Sequence, residues 1–247
     1  VERSRGLGDV YKRQALISLP FAQKIPVGFV DNLFNVVSAM STTGLTTGSL
    51  SDMYTPFGKI ILLGLIQLGA IGYMTLTSFL ILSTSKKIST HRVKILSAEF
   101  SMPENFDLKH FISNIIIYTI IVEFIGTVLL CIEFSKLGLQ KPLWSAIFHC
   151  VSAFSTAGFS IYADGLCRFQ NDVSVNLIIA FLCYAGAIGF IVPMDIYRRL
   201  THKSKEITFT TKIILFITVM ITLTGSVIYI GSSGANALSA FFQVMSA

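Results

Sequence analysis

The chain reads as an all-α integral membrane protein built from repeated units, each a spanning helix, a short re-entrant helix and a second spanning helix. Three observations predict this class. First, 53% of its 247 residues are hydrophobic and only 13% charged, a balance that belongs to membrane proteins rather than soluble domains. Second, apolar stretches at roughly 57–82, 111–132, 174–197 and 211–231 each reach the ~20 residues that one crossing of the hydrocarbon core needs. Third, FNVVSAMSTTGL (Phe34 to Leu45) aligns without gaps on FHCVSAFSTAGF (Phe148 to Phe159), at an offset of 158 − 44 = 114 residues.

From the N-terminus, residues 1–14 (VERSRGLGDVYKRQ) are charged, share no pattern with the rest of the chain and read as a non-native segment outside the fold. Residues 15–83 form a first unit without its first span: a short helix at about 29–42, a glycine turn, then the span 57–82. After a linker at 84–110, the second unit, 111–197, is complete, with spans 111–132 and 174–197 around a short helix at 143–156. The likeness extends past the short helices, because Gly69, Ala70, Ile71 and Gly72 match Gly186, Ala187, Ile188 and Gly189 at an offset of 189 − 72 = 117. A second linker, 198–210, leads into residues 211–247, which open a third unit with one span and FQVMSA, a copy of FNVVSA and FHCVSA.

The net charge of +6 is concentrated in two short loops. One holds Lys86, Lys87, His91, Arg92 and Lys94, the other Arg198, Arg199, His202, Lys203 and Lys205. Such loops mark the cytoplasmic side of a membrane and speak against a nucleic-acid surface. Cys131, Cys150, Cys167 and Cys183 show no paired spacing with one another or with the four histidines, so they read as structural, with no metal centre. Cys167 alone falls in an outward loop.

The short helices are apolar but cannot span. A chain that enters the bilayer and turns back must hide its non-helical backbone in protein or against a wet cavity, and Gly44 and Gly158 stand where such a turn would fall. Extended strands Thr42-Thr43-Gly44-Leu45 and Thr156-Ala157-Gly158-Phe159 would aim successive carbonyl oxygens at a common axis, replacing the water shell of a cation. The C-terminal end of each short helix, with its partial negative charge, would face the same axis.

Intramembrane ionisable groups are scarce, which counts against proton relays and against an intramembrane enzyme; no nucleophile-and-base set is visible. Glu123, mid-span, is expected to pair with a polar group of a neighbouring helix, and Asp195 to lie beside Arg198 and Arg199 at the interface. His149 is expected to pack or hydrogen-bond within its short helix.

The segments STTGL, LIQLGAIGYMTL followed by KKISTHRVKILSAEF, IVEFIGTVLL, LWSAIFHCVSAFSTAGF, VNLIIAFLCYAGAIGF and ALSAFFQVMSA occur in this order between about residues 15 and 247. Together they resemble the Trk/Ktr/HKT superfamily of potassium transporters, and most closely the pattern of the Ktr membrane subunit. The resemblance implies a potassium-channel-like pore, pseudo-four-fold, with one filter glycine per unit. Against that pattern the chain reads as a fragment that holds two filters, Thr42, Thr43, Gly44, Leu45 and Thr156, Ala157, Gly158, Phe159.

Potassium is then the transported ion, with no other cofactor. Glycine at the first filter position is similar to potassium-conducting members, whereas plant relatives that prefer sodium carry serine there. The resemblance further implies a homodimer in membrane lipid, multi-pass in a bacterial cell membrane. A cytoplasmic nucleotide-binding regulatory subunit would dock near 84–110 and 198–210. The alternatives are a sodium or mixed-cation transporter of the same family and, from a different class, a non-conducting membrane scaffold whose glycine and Ser/Thr surfaces only pack helices.

Overall fold

A computed structural model of the chain describes residue 17 and residues 20–72, 108–201, 207–234 and 237–246. Among these the fold is helical, with one isolated bridge between Gln23 and Tyr54. The first unit comprises α1 (Phe29–Met40), the single turn α2 (Leu50–Met53) and α3 (Pro56–Ile71). The second comprises α4 (Leu108–Lys136), α5 (Pro142–Phe154), α6 (Val173–Ala187) and α7 (Ile191–Leu200). Helices α8 (Phe209–Ser233) and α9 (Ala237–Ser246) begin the third. Segment 1–14, expected to be non-native, the basic cluster Lys86 to Lys94, residues 73–82 of the expected span 57–82, and His202, Lys203 and Lys205 lie outside the described residues.

Local chemistry sets the helix starts. Pro56 and Pro142 stand in the first turns of α3 and α5, where a missing N–H has no intrahelical partner to lose. Side-chain oxygens cap three N-termini: Thr55 accepts from the Gly58 N–H, Asp172 from Val175 and Thr208 from Thr211. Ile112–Lys136 of α4 and Phe209–Ser232 of α8 are long and apolar enough to cross a bilayer. Their outward faces carry Ile120, Phe124, Phe216, Val219, Val227 and Ile228 in the open, a surface that only lipid or further protein can cover.

The expected single span 174–197 is instead broken. α6 and α7 meet at 94°, because Gly189 adopts φ 82° and Pro193 lacks the N–H that a continuous helix would bond back to residue 189. In the first unit Gly72, the repeat partner of Gly189, ends α3 with φ 81°.

Two apolar cores lie side by side. One joins α1, α3 and the front of α5 through Val36, Leu62, Ile66, Phe148 and Val151. The other joins α4, the back of α5 and α6 through Leu130, Phe134, Cys150, Ala153 and Leu182. α5 contributes to both, so this short helix is the element that joins the two units.

Candidate functional site

Helices α1 and α5, of 12 and 13 residues, are too short to cross a membrane, and both end in the same backbone figure. In the first unit the Thr43 N–H donates to Ser38 O (3.0 Å) and the Thr42 N–H to Ala39 O (3.3 Å). In the second the Ala157 N–H donates to Ser152 O (2.8 Å) and the Thr156 N–H to Ala153 O (3.0 Å). This is the Schellman closure of a helix, which needs a left-handed residue just past the cap and normally uses glycine there. Here the position is threonine: Thr42 has φ 52° and Thr156 φ 51°, and they alone among the described non-glycine residues have positive φ.

The turn therefore falls two residues before Gly44 and Gly158, where the sequence placed it. A threonine held left-handed costs about 1–3 kcal/mol, a strain that marks functional backbone. The glycines follow with φ 83° and 68°, so the sign of φ alternates along 42–45 and along 156–159. In an ordinary strand successive carbonyls point to opposite sides. Reversing every second φ brings them toward one side.

The two segments approach each other closely. A β-carbon on Gly44 would lie 2.3 Å from the Ala157 carbonyl oxygen and 3.3 Å from the Gly158 Cα. Ala157 and Phe159 are buried, while Gly44 and Leu45 are less enclosed. Ser152 on α5 donates to the Phe159 carbonyl at 2.7 Å, which ties the end of this segment to its own helix. The matching hydroxyl of the first unit, Ser38 Oγ, is buried without a partner. Thr156, Gly158 and Phe159 border a cavity of about 710 Å³ that also meets Ile214 of α8 and Phe242 of α9.

The repeated Gly-Ala-Ile-Gly is explained by the same site. A β-carbon on Gly69 would stand 2.2 Å from the carbonyl oxygen of Met40, the last residue of α1. One on Gly186 would stand 1.7 Å from that of Phe154, the last residue of α5. Each second helix thus rests, backbone to backbone, on the C-terminus of its re-entrant helix. Small residues permit such contact.

The ionisable residues singled out by sequence all find partners. Glu123 Oε2 accepts from Gln67 Nε2 on α3 at 3.1 Å, linking the two units, and the Cys150 thiol donates to the Glu123 carbonyl oxygen at 3.2 Å. Asp195, expected beside Arg198 and Arg199, accepts from the N–H and hydroxyl of Thr208 and from the Thr211 hydroxyl, so it also anchors the start of α8. His149 is buried and doubly hydrogen-bonded.

Fold and site together define an all-helical membrane protein whose re-entrant helices deliver strained, glycine-bearing turns to a shared place. Residues 11–247 match the family described as TrkH, cation transport protein, and the chain belongs to that family, within the Trk/Ktr superfamily of membrane subunits. That family is one of cation transport proteins rather than of enzymes.

Curated relatives agree. The chain is 31% identical to the Ktr system potassium uptake protein B of Bacillus subtilis over 207 residues, 83% of this chain and 46% of that protein. It is 30% identical to the Ktr system potassium uptake protein B of Vibrio alginolyticus, over 98% of this chain and 56% of the relative. It is also 30% identical to the potassium/sodium uptake protein NtpJ of Enterococcus hirae, over 87% and 48%. The chain spans about half the length of these relatives.

Proposed function

We propose that the full-length transporter takes up potassium through a carbonyl-lined filter, to which this chain supplies two strands, Thr42 to Leu45 and Thr156 to Phe159. The observation that carries this reading is the paired left-handed threonine. Two copies of one strained turn, at the same repeat position and each followed by a positive-φ glycine, are held against local preference by the surrounding structure, as functional backbone is. They fit a wall of carbonyl oxygens that replaces the water shell of a dehydrated cation. The C-termini of α1 and α5 add their partial negative charge.

The names of the Ktr relatives support potassium as cargo, and the name of NtpJ supports sodium as a second one. The resemblance of the sequence motifs to the Trk/Ktr/HKT superfamily further implies, as part of this proposal, a homodimer in a bacterial cell membrane with a cytoplasmic nucleotide-binding subunit docked near 84–110 and 198–210. The test is complementation. The full-length transporter is expected to restore growth of a potassium-uptake-deficient bacterium at low potassium, and Gly158→Asp to abolish it. Growth unchanged by Gly158→Asp would leave a scaffold role for these glycines and end the filter reading.

A further inference from the structure

One position on the two re-entrant helices performs the same task with different chemistry. Asn35 and His149 are repeat partners (149 − 35 = 114) and are 0% and 2% exposed. Asn35 Oδ1 accepts from the Thr47 N–H at 3.2 Å, and its Nδ2 donates to the Thr47 hydroxyl at 3.5 Å and the Tyr54 hydroxyl at 3.0 Å. The Tyr54 hydroxyl passes its own hydrogen to Asn32 Oδ1 at 2.8 Å, one turn back along α1. Thr47 is the second residue past the candidate filter segment of its unit.

In the second unit His149 Nδ1 lies 2.7 Å from the Ser145 carbonyl, which can only accept, so Nδ1 carries the hydrogen. The neutral ring then offers a lone pair at Nε2 to the Ser160 hydroxyl, 3.0 Å away and nearer than that hydroxyl's other acceptor, the Gly165 carbonyl oxygen at 3.3 Å. Ser160 is the first residue past Phe159, and its oxygen also accepts the Tyr162 N–H at 3.1 Å. Tyr162 stacks on the imidazole, with centroids 5.0 Å apart and planes 16° off parallel, and its hydroxyl donates to Ser145 Oγ at 2.8 Å. Arg168 lies 4.1 Å over the ring of Tyr162, held by two-pronged bonds to Asp164. That pairing keeps the exposed Asp164 carboxyl below its usual range.

We infer that Asn35 and His149 are positioning residues: each clasps the chain leaving its filter back onto its own re-entrant helix, with a tyrosine as backing, and so fixes the spacing of the filter carbonyls. This rests on the filter reading above. The repeat supports it, because an amide and an imidazole share little beyond two polar atoms in a fixed plane, and each residue spends at least one of them on its exit segment, Asn35 on Thr47 and His149 through Nε2 on Ser160. The partners differ in register, Thr47 two residues and Ser160 one residue past the segment, yet both belong to the chain leaving it.

The experiment uses the full-length transporter in proteoliposomes, with the ratio of rubidium to sodium uptake as readout beside total uptake. His149→Leu and the milder Ser160→Ala are each expected to lower the ratio at least about threefold, the weight of one ordinary hydrogen bond. His149→Gln, whose terminal amide reaches Ser160, is expected to restore it, and Asn35→Leu to act as His149→Leu does. An unchanged ratio in Ser160→Ala, or His149→Gln indistinguishable from His149→Leu, would overturn the clasp even if His149→Leu does not fold. Gly158→Ser is the control: a ratio unmoved by it overturns the filter reading itself, whereas a ratio moved by it but not by Ser160→Ala overturns the clasp alone.

Discussion

At the scale of single residues, the informative atoms are those placed where ordinary side chains do not go. Gly44 combines φ 83° with the Ala157 carbonyl oxygen 2.3 Å from its missing β-carbon. Gly44→Ala is therefore expected to abolish potassium uptake while leaving protein in the membrane, measured by rubidium uptake against surface expression. Glu123 offers a different case, since its Oε1 and the Oε1 of Gln67 are both buried without a donor. Glu123→Gln supplies the missing N–H and closes a two-bond amide pair, so a gain of about 1 kcal/mol in thermal stability is expected. Glu123→Leu strands the Gln67 amide and should cost about 1–3 kcal/mol. Melting in detergent orders the three proteins, and a less stable Glu123→Gln would contradict the assignment. Glu123 was visible in sequence as a lone mid-span acid. Its partner 56 residues away was not.

At the scale of elements, the contact between each second helix and the end of its re-entrant helix holds the strained turn in place. Gly186 leaves 1.7 Å between an added β-carbon and the Phe154 carbonyl, whereas Gly64, in the middle of α3, has open space around it. Gly186→Ala is expected to destabilise by about 1–3 kcal/mol through overpacking and to weaken uptake. Gly64→Ala, relieved of glycine's entropy, should be neutral or stabilising by up to about 1 kcal/mol. Equal effects at the two sites would remove the special standing of Gly186. The sequence marked Gly-Ala-Ile-Gly by repetition alone. It did not distinguish the first glycine, which accepts a carbonyl at its surface, from the second, whose positive φ ends α3 and bends α6 into α7.

At the scale of the molecule, the two units share α5 between their cores, while α8 presents a wide apolar face to its surroundings. Two filter strands do not enclose an ion, since filters of this kind close as rings. This chain reconstituted alone is accordingly expected to give no potassium flux in liposomes, measured with a potassium-sensitive dye and valinomycin as positive control. Flux from the chain alone would overturn the reading that further units complete the pore.

The linear sequence by itself determined the membrane class, the alternation of long and short helices and the place of the candidate filters. Those follow from hydropathy, span length and an internal repeat, all properties of the order of residues. Tertiary structure alone decided that Thr42 and Thr156 carry the turn, that α6 and α7 are two helices, and that Asn35 and His149 hold the exit segments. Threonine in a left-handed Schellman position contradicts local propensity and persists only because packing around it leaves no other conformation. The residues that clasp a filter are chosen by distances between segments that a repeat can align but not measure.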